Sequence, residues 1–149
     1  MIEFLGEYEA TLDAKGRFLL PAGFKKQLPE GELRFVINRG FEKCLSFYPA
    51  QSWKPIYTKI SNLNDFDPKV RAFRRQFLAG ATEIETDTAG RILLPPTLRE
   101  YAGLERDIIL TAAIDKIEIW DAARYKQLFE NFSPENFSEL GANVMMNKE

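Results

Sequence analysis

Two short stretches carry the most pointed chemistry in the chain, Asp13-Ala14-Lys15-Gly16-Arg17 and Asp87-Thr88-Ala89-Gly90-Arg91. In each, Asp opens a type I turn and Gly closes it, the pattern of a hairpin loop whose glycine takes the left-handed backbone. The arginine follows directly, at the base of the turn, where the aspartate can orient its guanidinium. A surface ion pair is worth only about 0–1 kcal/mol, so stability alone gives little reason for an arginine at both sites. A planar fork at a rigid turn suits bidentate reading of guanine O6 and N7, or gripping a phosphate. A two-stranded ribbon also fits the DNA major groove. Lys15 adds a cation to the first copy, and Ala89 stands in its place in the second.

Other cations cluster too. Residues 14–29 hold Lys15, Arg17, Lys25 and Lys26 with no acid. They are expected to form the nucleic-acid face. Residues 68–82 hold Lys69, Arg71, Arg74 and Arg75 with no acid. These lie on an expected helix, where they are expected to flank an interface or pair with a neighbouring subunit's acids, with DNA contact as the other reading.

Catalytic chemistry finds little to work with. The chain has no histidine, which removes Ser-His-Asp and Cys-His catalysis and every histidine-based zinc site. Its one cysteine, Cys44, forms no intrachain disulfide and is expected to be a buried small apolar group in a strand. Asp13 and Asp87 could be imagined as a carboxylate pair. Each sits beside an arginine that would keep it ionised. No cofactor motif or metal cluster is visible, so an enzyme, a cofactor and a small-molecule substrate are not expected.

The elements around the two motifs are themselves repeated. Residues 9–21, EATLDAKGRFLLP, align with residues 83–95, EIETDTAGRILLP, at an offset of 74. Phe24 to Leu28 then align with Leu98 to Ala102, Phe35-Val36-Ile37 with Ile108-Ile109-Leu110, and Phe47-Tyr48 with Ile119-Trp120. The offset drifts to about 72, close to half of the 149 residues, so the chain reads as a tandem duplication. Each copy predicts four short strands and one short helix. A strand enters the hairpin, a second leaves it and is stopped by Pro21 or Pro95, and a helical turn follows (Pro96 to Ala102, closed by Gly103). An apolar strand and a last strand, Lys43 to Tyr48 or Lys116 to Trp120, complete the unit.

Helices are expected between and after the copies. Asp67-Pro68 is a cap followed by proline at the first helical position, with Gly80 past the end. Val70, Phe73 and Phe77 mark its apolar face. Pro49 to Leu63 reads as an earlier helix that Pro55 would kink or shorten. Asp121 caps a helix over 122–132, Ser133-Pro134 opens a further short one, and the tail Asn143 to Glu149 is expected to fray. Trp53, Trp120 and the phenylalanines are expected in the core or a subunit interface.

Composition sets the remaining bounds. At 149 residues the chain can bury roughly 70% of its unfolded surface without a metal or disulfide. Basic and acidic residues number 20 and 22, a net charge of −2, which argues at first sight against a nucleic-acid binder. The sum averages a basic edge at 14–29 with an acidic tail, since residues 127–149 carry four glutamates against Lys148. The start, MIEFLGEYEA, lacks the features of a signal peptide. No apolar run approaches the roughly 20 residues of a membrane span. A reducing cytoplasm is the expected compartment, with no membrane partner.

DAKGR and DTAGR, the connecting segment DPKVRAFRRQFLAGATEIETD and the stretch PPTLREYAGLE together resemble the MraZ family, over residues 1 to about 130. The resemblance implies a mainly β, α+β fold with short helices, a tandem pair of AbrB/MazE-like swapped-hairpin β-barrel units related by pseudo-two-fold symmetry. The expected division is a first repeat at 5–53, a helical connector at 54–80, a second repeat at 81–125 and a helical tail at 126–149. The resemblance further implies a sequence-specific DNA-binding regulator, expected to repress, of the bacterial division and cell-wall gene cluster. It would bind spaced promoter repeats in double-stranded DNA as a ring oligomer and associate with the nucleoid. The family's Asp-x-x-x-Arg residues fall on Asp13, Arg17, Asp87 and Arg91. Lys15, Arg17, Lys25, Lys26 and Arg91 are the expected DNA contacts. Asp13, Gly16, Asp87 and Gly90 are expected to build the turns. The rival reading is a non-enzymatic protein-interaction module, antitoxin-like or a scaffold.

Overall fold

Arg-Phe-Leu at 17–19 and Arg-Ile-Leu at 91–93 alternate with a period of two, and burial follows that period. Phe18 and Ile92 are buried, while Leu19 and Leu93 are exposed. The alternation makes each a strand with one inward and one outward face. The two strands pair with each other, Phe18 directly opposite Ile92, and bring the two repeats together at their hairpins.

The structure is a computed structural model that describes residues 2–130 and 132–146. The first repeat contains β1 (Glu7–Thr11), β2 (Arg17–Leu19), α1 (Ala22–Lys25), β3 (Arg34–Arg39) and β4 (Leu45–Pro49). Two helices follow, α2 (Ala50–Ser61) and α3 (Pro68–Gly80). The second repeat contains β5 (Thr82–Glu85), β6 (Arg91–Leu93), α4 (Pro96–Ala102), β7 (Asp107–Ala113) and β8 (Lys116–Asp121), before α5 (Ala122–Glu130) and α6 (Pro134–Met146). The fold is mixed α+β, and each repeat has the four strands and short helix that its sequence predicts.

The strands exchange partners between repeats. The six-stranded sheet has the order β1-β7-β8-β4-β3-β5, and β2 and β6 form a sheet of their own. β1 of the first repeat lies on β7 of the second, and β5 of the second lies on β3 of the first. Exchanging the copies reverses the order onto itself, which is a pseudo-two-fold axis written in topology. The axis passes between Phe18 and Ile92 in one sheet and between Ser46 and Glu118 in the other. The first pair is 74 residues apart and the second 72, so the shrinking repeat offset is visible in the register. The expected swapped-hairpin units thus appear as two sheets, without a closed hydrogen-bonded barrel among the described residues.

One core serves both repeats. Phe24, Phe35, Phe47, Ile92, Leu98, Leu110, Ile117 and Ile119 all belong to it. Burying each such side chain contributes about 1.5–3 kcal/mol. Every residue of β4 is buried, as its place at the centre of the sheet demands. Cys44 is buried as expected, but it stands one residue before β4, not inside a strand. Burial, with Glu118 and Glu42 nearby, pushes its thiol up to about 12.

The helix expected over 49–63 is present as α2, shorter at both ends, and it continues through Pro55 to Ser61. The lost backbone hydrogen bond is outweighed by packing, since Trp53 meets Tyr48 edge-on and stacks on Phe77 of α3. At the other end, α6 runs to Met146, so residues 143–146 are helical and not frayed, while residues 147–149 lie outside the described residues. α3 starts as predicted, with the Asp67 carboxylate accepting from the backbone N–H of Lys69 and Pro68 next to it. Asp121 accepts from the N–H of Arg124 in α5, and the Ser133 hydroxyl accepts from the N–H of Asn136 in α6. Among the described residues no helix is long and apolar enough to cross a membrane.

Candidate nucleic-acid interface

Each hairpin is built by its own aspartate. Asp13 Oδ1 accepts from the backbone N–H groups of Lys15 and Arg17, both at 2.9 Å, and Oδ2 accepts from Arg17 Nε at 2.8 Å. Asp87 repeats the arrangement with Ala89 N at 2.9 Å, Arg91 N at 2.8 Å and Arg91 Nε at 2.9 Å. The turns close through Gly16 N to Asp13 O and Gly90 N to Asp87 O. Both glycines have positive φ, 86° and 82°. That backbone costs other L-residues roughly 1–2 kcal/mol, which is why glycine recurs at the same place.

The carboxylates stay ionised through ordinary acid. The backbone N–H of Arg17, its guanidinium and the N–H of Lys15 hold Asp13 at about 2, against an ordinary 3.8. Asp87 is lowered from 3.8 for the same first reason, the backbone N–H of Arg91. Each arginine is therefore anchored at Nε. Its two Nη amines make no hydrogen bond among the described residues, so the outer end of the fork remains open to a ligand.

The β2–β6 pairing brings the two arginines onto one surface. Arg17 lies opposite Leu93, and Arg91 lies opposite Leu19. All four side chains point away from Phe18 and Ile92, which face the core. Arg17 and Arg91 line one surface depression of about 530 Å³ with Asp13, Leu19 and Pro21. Two positive forks diagonally placed on a two-stranded ribbon can pair with anionic oxygens or with the acceptor edges of guanine.

The remaining predicted residues are distributed less evenly. Lys15 is exposed at the tip of the first hairpin. Lys25 ends α1 and Lys26 follows it, both exposed. Neither shares a hydrogen bond or ion pair with the hairpins among the described residues. In the other basic cluster, Arg74 is spent inside the chain, on Asp65 at 2.6 Å and on the carbonyl of Leu63. Arg71 donates to the carbonyl of Asp65, and Lys69 and Arg75 stay exposed.

Arg99, absent from the predicted site, lies against it. Its Nε donates to the carbonyl of Leu94, whose own N–H donates to the carbonyl of Gly16. A Cβ placed on Gly16 would stand 2.6 Å from Arg99 Nε and 2.7 Å from Cζ. The guanidinium thus lies across the first hairpin, delivered by the second repeat. The repeat alignment places Arg99 opposite Lys25, a cation matched with a cation, and that was the available signal. Among the described residues the second hairpin has no such cover, since only Leu19 Cδ2, at 4.0 Å, comes near a Cβ built on Gly90.

Comparison with known proteins gives a consistent match along both halves. Residues 4–76 and 77–147 each match the family model of the antitoxin-like MraZ protein. The chain is 42% identical over 149 residues to the transcriptional regulator MraZ of Christiangramia forsetii, covering 99% of this chain and 96% of that one. It is 41% identical over 138 residues to the transcriptional regulator MraZ of Acetivibrio thermocellus, covering 91% and 94%. To that of Lactiplantibacillus plantarum it is 40% identical over 142 residues, covering 95% and 98%.

Proposed function

This chain belongs to the MraZ family, and on that premise we propose that it is a sequence-specific DNA-binding transcriptional regulator and not an enzyme. The observation that carries this reading is the shared ribbon face. Two Asp-clamped arginines, one from each repeat, stand diagonally on one two-stranded sheet with their outer amines uncommitted among the described residues. Arg17 and Arg91 read base edges from the major groove, while Lys15, Lys25 and Lys26 hold phosphates. Phosphate contacts position the protein and base contacts specify the site.

The finer reading is a ring of several copies acting in the cytoplasm on the nucleoid. It engages spaced repeats in the promoter of the division and cell-wall gene cluster and represses it by blocking polymerase. A single small module with a net charge of −2 binds weakly, and tethering several modules raises avidity by about 10²–10⁴ when the spacing matches. The repeats at 5–53 and 81–125 would form the DNA-reading unit. The connector at 54–80 and the tail at 126–149 would serve assembly. Exposed Phe66 on the connector, and Phe137, Val144 and Met145 on α6, support that division, since an unpaired apolar surface marks interaction sites. The same surface would carry the rival reading of a protein-interaction module.

The test is binding to a duplex from the region upstream of the protein's own gene, against an unrelated duplex of equal length. Preference for the first, lost in Arg17→Ala, supports the regulator. Equal binding to both, or binding unaffected by Arg17→Ala, rejects it. Mass measurement on the free protein and on its DNA complex tests the ring.

A further inference from the structure

The outward face of the β2–β6 ribbon is half cationic and half apolar. Leu19 is 59% exposed and Leu93 52%, both beyond half although the core lies one residue away on the same strands. Each stands directly opposite the other repeat's arginine, at about 5 Å between Cβ atoms. The pseudo-two-fold axis through Phe18 and Ile92 makes the pattern a checkerboard of Arg17, Leu93, Arg91 and Leu19. A leucine in water at a ribbon surface gains nothing from burial there. The duplicated chain nevertheless has one at this position in both copies.

Given the DNA-reading function proposed above, we infer that Leu19 and Leu93 are specificity residues that contact thymine C5-methyl groups beside the purines read by Arg17 and Arg91. The occupant follows from charge and shape. The face pairs two cationic forks with two exposed leucine side chains, and the thymine methyl is the apolar group on a major-groove base edge. The spacing agrees. Residues two apart on a strand are roughly 6.6–6.8 Å apart, or about two base-pair rises of 3.4 Å. Each leucine therefore falls within two base pairs of an arginine-read guanine. Leu19 reaches toward the second hairpin, where its Cδ2 lies 4.0 Å from a Cβ built on Gly90. The two copies meet the groove unequally, because Arg99 covers Gly16 and, among the described residues, nothing comparable covers Gly90.

The experiment separates this inference from the reading on which it rests. The full chain selects duplexes from a randomised library, and the enriched duplex is remade with deoxyuridine replacing each thymidine in turn. Deoxyuridine keeps every hydrogen-bonding group and removes only the methyl. Wild-type affinity falls about fourfold for each contacted methyl removed, at positions within two base pairs of a guanine. Leu19→Ala/Leu93→Ala binds the thymidine duplex more weakly and shows no further loss on deoxyuridine. Its melting temperature matches wild type, since both side chains are largely exposed. Wild-type indifference to deoxyuridine at every position, with Arg17→Ala still destroying selectivity, overturns the methyl contact and leaves the arginine reading standing. If the double variant instead changes the mass of the free protein and keeps its deoxyuridine sensitivity, the leucines serve contacts between copies and the inference fails. If no duplex is enriched, or Arg17→Ala retains full selectivity, the DNA-reading function falls and this inference with it.

Discussion

Phe18 of the first repeat faces Ile92 of the second at the centre of the β2–β6 ribbon, and the outward arginines are placed by that inward pair. Because burial points Phe18 and Ile92 into the core, Arg17, Leu19, Arg91 and Leu93 have only the outer surface available. The hydrophobic pair and the candidate reading face are thus two sides of one three-residue register.

Replacing the inward pair is costly. Phe18→Ala leaves a cavity where a fully buried ring stood, and the expected loss is about 3–5 kcal/mol, with Ile92→Ala losing about 2–5 kcal/mol. The two residues share the cavity, so the double variant is non-additive. Urea denaturation of the four proteins in the cycle checks both statements. An additive result would show that the two repeats do not share a core at this point.

Replacing the outward arginines leaves stability nearly unchanged and moves affinity. Arg17→Ala and Arg91→Ala each weaken binding to a selected duplex by about 1–3 kcal/mol if each fork reads one guanine. Lys15→Ala makes the dependence of log affinity on log salt shallower by about 0.9, one phosphate contact's worth. Ala89→Lys steepens it by a similar amount, because the second hairpin has the same backbone without the cation. Salt titrations by fluorescence anisotropy give all four values.

Much of this arrangement was legible in the sequence, and the limits of that legibility have physical causes. The hairpins, their aspartates and their glycines could be read because turn chemistry is local. Every partner of Asp13 in the turn lies within four residues of it. The exchange of strands could not be read from periodicity, which says that Ile84 points inward and not that β5 lies on β3; that expectation came from the family resemblance. Arg99 was missed because it acts on a hairpin more than eighty residues earlier, through the carbonyl of Leu94. The helix through Pro55 could be read from the sequence, but the contact that supports it there, Trp53 packing on Phe77, is long-range and could not.

Acid provides a direct test of the clamps. Asp13 has a folded pKa near 2, below its ordinary 3.8. A depressed carboxylate stabilises the fold above its unfolded pKa, and that contribution disappears as pH falls through the folded value. For Asp13 the window lies between 3.8 and about 2. A carboxyl NMR titration should place its midpoint near 2. In Arg17→Ala the midpoint rises but stays below 3.8, because the largest cause, the backbone N–H of residue 17, remains. A full return to 3.8 would show that the guanidinium alone depresses the carboxyl.

Cys44 should be silent to thiol reagents in the native protein. Its side chain is buried, and burial with Glu118 and Glu42 holds the thiol at about 12. The thiolate is the reactive form, so an aromatic disulfide reagent at about pH 8 should label the unfolded chain quickly and the native chain only as fast as it opens. Rapid stoichiometric labelling without denaturant would contradict the buried position.

The two turn glycines should respond differently to the same substitution. Gly90→Ala meets a positive φ of 82° and almost no steric neighbour, so it costs roughly 1–2 kcal/mol, the strain of a left-handed L-residue. Gly16→Ala meets the same strain at 86° and must also push Arg99 off the hairpin. It therefore costs more, by the hydrogen bond from Arg99 Nε to Leu94 O and the packing lost with it, about 0.5–1.5 kcal/mol. The difference should vanish in an Arg99→Ala background, where both alanines cost the strain alone. Chemical denaturation of Gly16→Ala, Gly90→Ala and each combined with Arg99→Ala isolates the term. If the gap between the two glycines persists without Arg99, then Arg99 is not what distinguishes the hairpins, and the cause must lie in the turn sequences themselves, Lys15 against Ala89.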